Sequence, residues 1–125
     1  MAKFMSEEYV AQVQSALAQD QKWTESTKNF RTSIAFNVTD AGLNYVMRVE
    51  DGVTTFQKVT PGTAAEFSFD GNFDSWSRVA KGEVDIQTAV LKGQLKFKGS
   101  LTKILMYRDR FVRVAEVMRD VPKEF

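Results

Sequence analysis

Hydrophobic and polar residues alternate along four segments in the middle of the chain, between residues 33 and 69. A period of two is typical of strands that bury one face. Turn signals separate the segments at residues 40–42, 51–52 and 61–62, and Asp51-Gly52 is the strongest of them. We therefore predict an antiparallel meander. Its inward positions are Ile34, Phe36, Val38, Leu43, Tyr45, Met47, Val49, Phe56, Ala65, Phe67 and Phe69.

Helical periodicity precedes this meander. Ser6 is a good N-cap, and Val10, Val13 and Leu17 follow it as an apolar stripe at helical spacing. This helix should end near Asp20. Residues 22–29 are polar apart from one tryptophan, and we expect another helical turn or two there.

After the meander the pattern changes to short helices and a short strand. Residues 73–80 have helical spacing and Gly82 ends them, while Asp85 caps a second short helix that Gly93 ends. Leu95 and Phe97 then alternate with polar residues. They predict a short strand with a basic outer face, and we expect it to join the sheet at an edge.

The final helix is predicted to begin at the cap Ser100 and to run to Met118 or Arg119. Its apolar arc covers roughly 200° of the helical wheel, whereas a stripe of about 100° suffices to pack a helix on one core. The helix therefore needs a second partner besides the sheet. The short helices of residues 72–92, a second subunit and a ligand chain are all candidates, and plain burial in a core is the alternative.

Composition excludes several kinds of chemistry. The 125 residues, predicted to form one domain over 1–125, include ten Phe but no Cys and no His. Thiolate or imidazole zinc sites, cysteine nucleophiles and imidazole bases are therefore excluded. We expect no metal or other cofactor. The chain has neither the apolar core of a signal peptide at its start nor a membrane-spanning run, which predicts a cytoplasmic protein.

Charge is unevenly distributed along the chain. Residues 1–77 carry six Lys/Arg and ten Asp/Glu, whereas residues 78–125 carry eleven Lys/Arg and six Asp/Glu. A basic C-terminal part suits an anionic partner such as a membrane surface, a phosphate-bearing ligand or a nucleic acid. Solvated faces of a folded domain are the alternative. Nucleic-acid binding is the weaker interpretation, because no nucleic-acid-binding motif is present.

Three stretches resemble the sterol carrier protein 2 family. Residues 69–82 resemble the family's strand that leads into a helix, residues 85–93 its second short helix, and residues 94–99 its Lys/Leu-rich strand closed by glycine. The chain departs from the family at Ser100-Leu101-Thr102-Lys103 and in the basic run after Leu105. The resemblance implies an α+β fold, in which a five-stranded, mostly antiparallel sheet covered by helices encloses an apolar tunnel. It also implies a stand-alone, prokaryotic-type member, for which sterol is not the expected ligand.

The resemblance makes the final helix part of the tunnel wall. The lining that it implies is Phe97, Leu101, Ile104, Leu105 and Phe111, with Phe73, Trp76 and Leu91 opposite; plain core packing is the alternative for each. A Leu105→Arg substitution would then abolish lipid uptake. Three lysines, Lys96, Lys98 and Lys103, are candidates for contact with an anionic head group or with a membrane, or they merely keep the surface soluble.

Three functions remain open from the sequence. The first is a carrier that binds a fatty acid, a fatty acyl-CoA or a similar lipid without covalent chemistry. The second is an enzyme that uses carboxylates such as Glu83 and Asp85, although helix capping explains these two more simply. The third is a structural or dimerisation domain whose apolar C-terminal helix packs on a partner chain. The first is the predicted function, so we expect no enzyme activity; a homodimer remains open.

Overall fold

The computed structural model describes residues 1–125 and contains six helices and five strands. The helices are α1 (Glu7–Gln19), α2 (Gln21–Ser26), α3 (Phe73–Ala80), α4 (Ile86–Leu91), α5 (Leu101–Met106) and α6 (Arg108–Asp120). The strands are β1 (Arg31–Val38), β2 (Leu43–Glu50), β3 (Val53–Lys58), β4 (Phe67–Gly71) and β5 (Lys96–Lys98). The predicted caps Ser6, Asp85 and Ser100 each accept a backbone N–H from the first turn of their helix.

The five strands form one sheet in the order β3-β2-β1-β4-β5. The hairpins β1–β2 and β2–β3 are antiparallel, as the turn signals predict. The prediction is wrong for β4, which begins at Phe67 rather than Ala65 and pairs in parallel with β1 instead of continuing the meander. Residues 59–66 provide the connection that carries the chain across to the free edge of β1. β5 pairs with β4 at the edge, as expected.

One face of the sheet carries the apolar core. Tyr45, Phe36, Phe69 and Phe97 are register partners in neighbouring strands and form a row across it. Residues from every helix except α5 join the same buried cluster. On the opposite face Asn37 donates a hydrogen bond of 2.6 Å to Asp70. The apolar residues that alternate with polar ones along the strands therefore face the core, and the polar residues form the opposite face of the sheet.

Buried polar groups attach the helices to one another and to the sheet. The Tyr9 hydroxyl in α1 donates to the carbonyl of Met118 in α6 at 2.8 Å, and the Trp23 indole N–H in α2 donates to Thr54 Oγ1 in β3 at 2.7 Å. Because both donors are buried, these bonds replace hydration that the groups lose on folding.

Asp20 joins α2 to α6. Its carboxylate accepts the backbone N–H of Trp23 at 2.9 Å as the α2 cap, and the Arg113 guanidinium Nε donates to Oδ2 at 3.0 Å. The hydrogen bond from Arg113 holds the pKa of Asp20 below its usual range. Arg110 adds a second attachment, because it stacks over Phe30 at 4.2 Å and donates to the Ser26 carbonyl at 2.9 Å. The start of α6 is therefore firmly held.

The sequence predicts one continuous C-terminal helix, and this prediction is wrong. The structure has two helices, α5 and α6, separated at Tyr107. Tyr107 has φ −98° and ψ 9°, and the amides of Arg110 and Phe111 both donate to its carbonyl. Its ring packs edge-on against Phe30 at 4.7 Å and Phe67 at 6.0 Å. The aromatic contacts of Tyr107 thus fix the place of the break, which hydrophobic periodicity does not reveal.

Removing the Asp20 charge should loosen this attachment. Asp20→Asn keeps an oxygen for the α2 cap and loses the ion pair, and we expect it to lower the free energy of unfolding by about 1–2 kcal/mol. Asp20→Ala loses the cap as well, and we expect a loss of about 2–3 kcal/mol. Urea unfolding at neutral pH measures both. Equal losses would mean that the cap contributes nothing.

The same pair makes a pH prediction. A carboxyl whose pKa is depressed on folding stabilises the fold above its unfolded pKa, about 3.9, and this contribution disappears as the pH falls through the lower folded value. The stability difference between wild type and Asp20→Asn should therefore be constant near neutral pH and shrink only below about pH 4. A difference that persists unchanged at lower pH would contradict a role for the charge.

Candidate ligand-binding site

Aromatic side chains form a layer at the β4–β5 end of the sheet. We call Phe67, Phe69, Phe97, Tyr107 and Phe111 the aromatic layer. Phe97 lies 5.3 Å from Phe69 and 6.0 Å from Phe67, and Phe111 lies 5.4 Å from Phe67 and 6.2 Å from Phe69, all between ring centroids. Phe67 and Phe69 are fully buried, whereas Phe97 and Phe111 are half-buried. The layer therefore has a partly open side.

Gly99 turns the chain from β5 into α5 directly over this layer. Its φ is +142°, and a Cβ there would lie 2.7 Å from Phe67 Cδ1 and 3.1 Å from the Glu66 carbonyl oxygen. Only glycine combines this backbone conformation with so close an approach. The glycine that closes the basic strand in the sequence thus sets α5 against the aromatic layer.

The helix that follows, α5, is the least buried element over this layer. It contains no buried residue, and Ile104 is its one half-buried side chain. Lys103 donates to Glu66 Oε2 at 3.2 Å in an exposed ion pair. The Thr32 hydroxyl, donating at 2.5 Å, and Lys103 hold the pKa of Glu66 below its usual range. Exposed ion pairs contribute only about 0–1 kcal/mol, so α5 is weakly held on its inner side.

The predicted lining residues fall into three groups. Phe97, Ile104 and Phe111 meet at the aromatic layer or pack against the core beside it. Phe73 and Trp76 lie further along the interior, where Phe73 packs on Phe4 at 5.7 Å and Trp76 on Phe36 at 5.8 Å. The structure does not bring the third group to the layer: Leu91, Leu101 and Leu105 are 79%, 69% and 68% exposed.

The exposure of Leu101 and Leu105 follows from how α5 sits. The two leucines are one turn apart on the same side of the helix and point to solvent, whereas Ile104 packs against the core and Lys103 reaches Glu66. In this conformation neither leucine borders the interior, which corrects the expectation drawn from a continuous helix. The sequence has the wide apolar arc that was predicted, but Leu101 and Leu105, which belong to it, face solvent.

The three predicted lysines are not gathered at one point. Lys103 is paired with Glu66, as described above. Lys96 and Lys98 flank Phe97 in β5, so strand alternation directs them away from the aromatic layer, and both are exposed. A common head-group site for all three is therefore not formed in this conformation.

Two cavities bear on the expected tunnel. An apolar cavity of about 10 Å³, lined among others by Tyr9, Phe36 and Met118, has room for about one water molecule. A depression of about 450 Å³ beside α3 and α4 has mostly polar lining, including Arg78, Glu83, Asp85, Lys92 and Gln94. Neither provides an apolar space for an acyl chain. The tunnel stays a prediction, and an acyl chain needs room that movement of an element over the aromatic layer would create.

Sequence reasoning missed three members of the layer as site residues. Phe67 and Phe69 were predicted only as an inward strand face, and Tyr107 only as the flank of a helix. The signal was present in the alternation Phe67–Phe69 followed by Phe97, since three phenylalanines on adjacent strands form one apolar surface. The position of Tyr107 has no such signal, because it depends on the break between α5 and α6.

A comparison of the sequence with known protein families gives one match, and that match covers most of the chain. Residues 13–111 match the SCP-2 sterol transfer family, and the chain belongs to that family. No curated protein sequence matches the chain significantly. The family assignment therefore rests on a match that spans most of the chain, and it confirms the resemblance drawn from residues 69–99.

Solved structures support the same fold. The chain is similar to a crystal structure of sterol carrier protein 2, with 19% identity, a TM-score of 0.85 and coverage of 96% of this chain and 100% of that one. It is also similar to a possible sterol carrier protein from Thermus thermophilus, with 17% identity, a TM-score of 0.81 and coverage of 99% and 94%. Similarity at these identities shows the fold, and it confirms the predicted five-stranded α+β architecture.

A third similar structure includes a ligand. It is the solution structure of Sterol Carrier Protein-2 from Aedes aegypti in complex with the C16 fatty acid palmitate. Identity is 17%, the TM-score is 0.55, and the similarity covers 86% of this chain and 94% of that one. In the present chain, no helix has the length and apolar character that a membrane crossing requires.

Weak attachment of α5 predicts local opening. The amides of Ile104, Leu105 and Met106 should exchange with deuterium at least about tenfold faster than those of residues 114–118 in α6, because α6 is buried and held by Asp20 and Ser26. Hydrogen exchange followed by NMR resolves the two helices. Equal protection in α5 and α6 would mean that α5 opens only when the whole protein unfolds, and would remove the basis for a movable cover.

Proposed function

We propose that this protein binds an apolar lipid, such as a fatty acid or a fatty acyl-CoA, beneath α5 and against the aromatic layer, and carries it without covalent chemistry. Membership of the SCP-2 family supports lipid binding as the general function. The palmitate held by the similar mosquito protein supports a fatty acyl chain as the ligand class. The cytoplasm is the compartment that the sequence predicts.

One observation carries the proposal: a weakly attached helix follows directly after Gly99, whose backbone lies against a dense aromatic surface. Lifting α5 costs an exposed ion pair, about 0–1 kcal/mol, and the contacts of half-buried Ile104, about 1 kcal/mol. An acyl chain with about fourteen methylene groups gains about 0.8 kcal/mol for each one that is buried. Even after the cost of ordering the chain, burial of most of it outweighs the cost of displacing α5.

The proposed lining follows from this placement. Phe97, Ile104 and Phe111 would contact the ligand first, because Phe97 and Phe111 are the half-buried phenylalanines of the layer and Ile104 is the half-buried residue of α5. Trp76 is buried deeper, and the contacts Trp76–Phe36 and Phe36–Phe69 connect it to the layer, whereas half-buried Phe73 packs on Phe4. Lys103 would leave Glu66 when α5 moves, and its ammonium group then suits a fatty-acid carboxylate at the entrance.

A structural or dimerisation domain is the second candidate function. The exposed leucines of α5 favour it, because an apolar face of this kind can be covered by a partner chain. Under this alternative the protein would form a stable dimer and would take up no fatty acid. The two candidate functions therefore predict different results for fatty-acid binding and for the molecular mass of the protein in solution, and both can be measured on the same sample.

Neighbouring residues on α5 give a sharp test of the lipid site. Ile104→Arg puts an unpaired charge on the inner side, and we expect it to weaken binding of a fluorescent fatty acid at least about tenfold. Leu105→Arg puts the same charge on the outer side, and we expect binding close to wild type. Sequence alone predicted loss of uptake for Leu105→Arg, so the pair also tests the orientation of α5.

Folding of both variants is checked by circular dichroism and by their urea midpoints. A folded Ile104→Arg variant that binds the fatty acid as wild type does would contradict the proposed site. Loss of binding in Leu105→Arg alone would contradict the orientation of α5. If the wild-type protein takes up no fatty acid, the proposed function itself is contradicted.

A further inference from the structure

Glu66 provides a carboxylate that is fixed at the rim of the aromatic layer. It directly precedes Phe67 in the chain, and its backbone N–H donates to Ser33 Oγ at 2.9 Å. The Thr32 hydroxyl donates to Glu66 Oε1 at 2.5 Å. Because Thr32 and Ser33 both belong to β1, the carboxylate is attached to the sheet. The Glu66 side chain is 30% exposed, so the group lies at the boundary between the interior and solvent.

The other oxygen of this carboxylate is bound by α5, the helix that has to move in the proposed function. Lys103 Nζ donates to Glu66 Oε2 at 3.2 Å, and Lys103 has no other carboxylate within ion-pair distance. The two oxygens of Glu66 therefore have partners on different parts of the molecule, one on the sheet and one on a helix without a buried residue. When α5 moves outward, Lys103 leaves with it, whereas Thr32 keeps Glu66 in place.

The charge of Glu66 makes this ion pair sensitive to the head group of a ligand. Hydrogen bonds from Thr32 and Lys103 hold the pKa of Glu66 below its usual range, so the group is negative at neutral pH. One ammonium group cannot neutralise two carboxylates, and like charges a few ångströms apart repel each other. A ligand carboxylate therefore competes with Glu66 for Lys103. A neutral head group gives Lys103 no charge in exchange for the one it loses.

We propose that the carboxylate of a fatty acid replaces Glu66 as the partner of Lys103, so that Glu66 sets how strongly the lipid site distinguishes a carboxylate from a neutral head group. Lys103 would contact the head group, and Glu66 is a positioning residue that acts through Lys103. A lysine suits such an exchange, because its ammonium is a compact charge with rotatable donors. The inference rests on the proposed function, since it needs an acyl chain that enters beneath α5.

Two ligands that displace a bound fluorescent fatty acid test this exchange. Decanoate and 1-decanol have chains of the same length, and only decanoate is charged near neutral pH. We define the selectivity as the affinity for decanoate divided by the affinity for decanol. An ion pair that only attaches α5 to the sheet changes both affinities equally when it is removed, and leaves the selectivity unchanged. A competition for Lys103 changes the selectivity.

Three variants should change the selectivity in different ways. Lys103→Met keeps the length of the side chain without its charge, and we expect the selectivity to fall at least about threefold. Glu66→Gln keeps the shape of the side chain and frees Lys103, and we expect the selectivity to rise at least about threefold. The double variant Glu66→Gln/Lys103→Met should stay within about twofold of Lys103→Met, because Glu66 acts through Lys103.

Asp74→Asn is the matched control. It removes the same charge from another exposed ion pair, in which Arg78 donates to Asp74 at 3.0 Å within α3, and its selectivity should equal that of wild type. Circular dichroism checks that all variants fold. The exchange is overturned if Lys103→Met and Glu66→Gln change the selectivity no more than Asp74→Asn does. It is also overturned if Glu66→Gln still raises the selectivity in the Lys103→Met background.

Binding of the fluorescent fatty acid itself separates this inference from the proposed function. Variants that bind the probe with unchanged selectivity would refute the exchange and leave the lipid site in place. Wild-type protein that does not bind the probe would refute both.

Discussion

The aromatic side chains of β4 and β5 need an apolar cover, and this need shapes the C-terminal third of the chain. Phe67 and Phe69 are completely buried although β5 provides only three residues of sheet beside them. The remaining cover comes from Tyr107 and Phe111, which pack edge-on against Phe67. Gly99 allows the chain to approach closely enough for this packing. The break between α5 and α6 follows from it.

The two C-terminal helices consequently differ in how they are held. α6 is buried along Val114, Val117 and Met118, and Asp20 attaches it to α2. α5 has no buried residue and one exposed ion pair. Under the proposed function, stability and ligand access would belong to different helices, since a rigid α6 can preserve the fold while α5 moves. The proposed lipid site needs such a division, because ligand entry must not unfold the core.

Local chemistry made much of this fold predictable. The turn at Asp51-Gly52 and the caps Ser6, Asp85 and Ser100 lie where the sequence signals them, because each depends on neighbours within a few residues. The parallel pairing of β4 with β1 was not predictable, since it depends on which sheet edge is free. Helical periodicity likewise could not show the break at Tyr107. For the site, periodicity identified the apolar arc but could not tell Ile104, which faces inward, from Leu105, which faces solvent.

An NMR titration of the ¹⁵N-labelled protein with palmitate tests the central claim most directly. We expect the largest shifts on the amides of β5 and α5 and on Phe111, with smaller shifts toward Trp76 and none at Val53. Saturable shifts confined to the polar depression around Glu83 and Lys92, or no shifts at all, would contradict an acyl site between α5 and the aromatic layer.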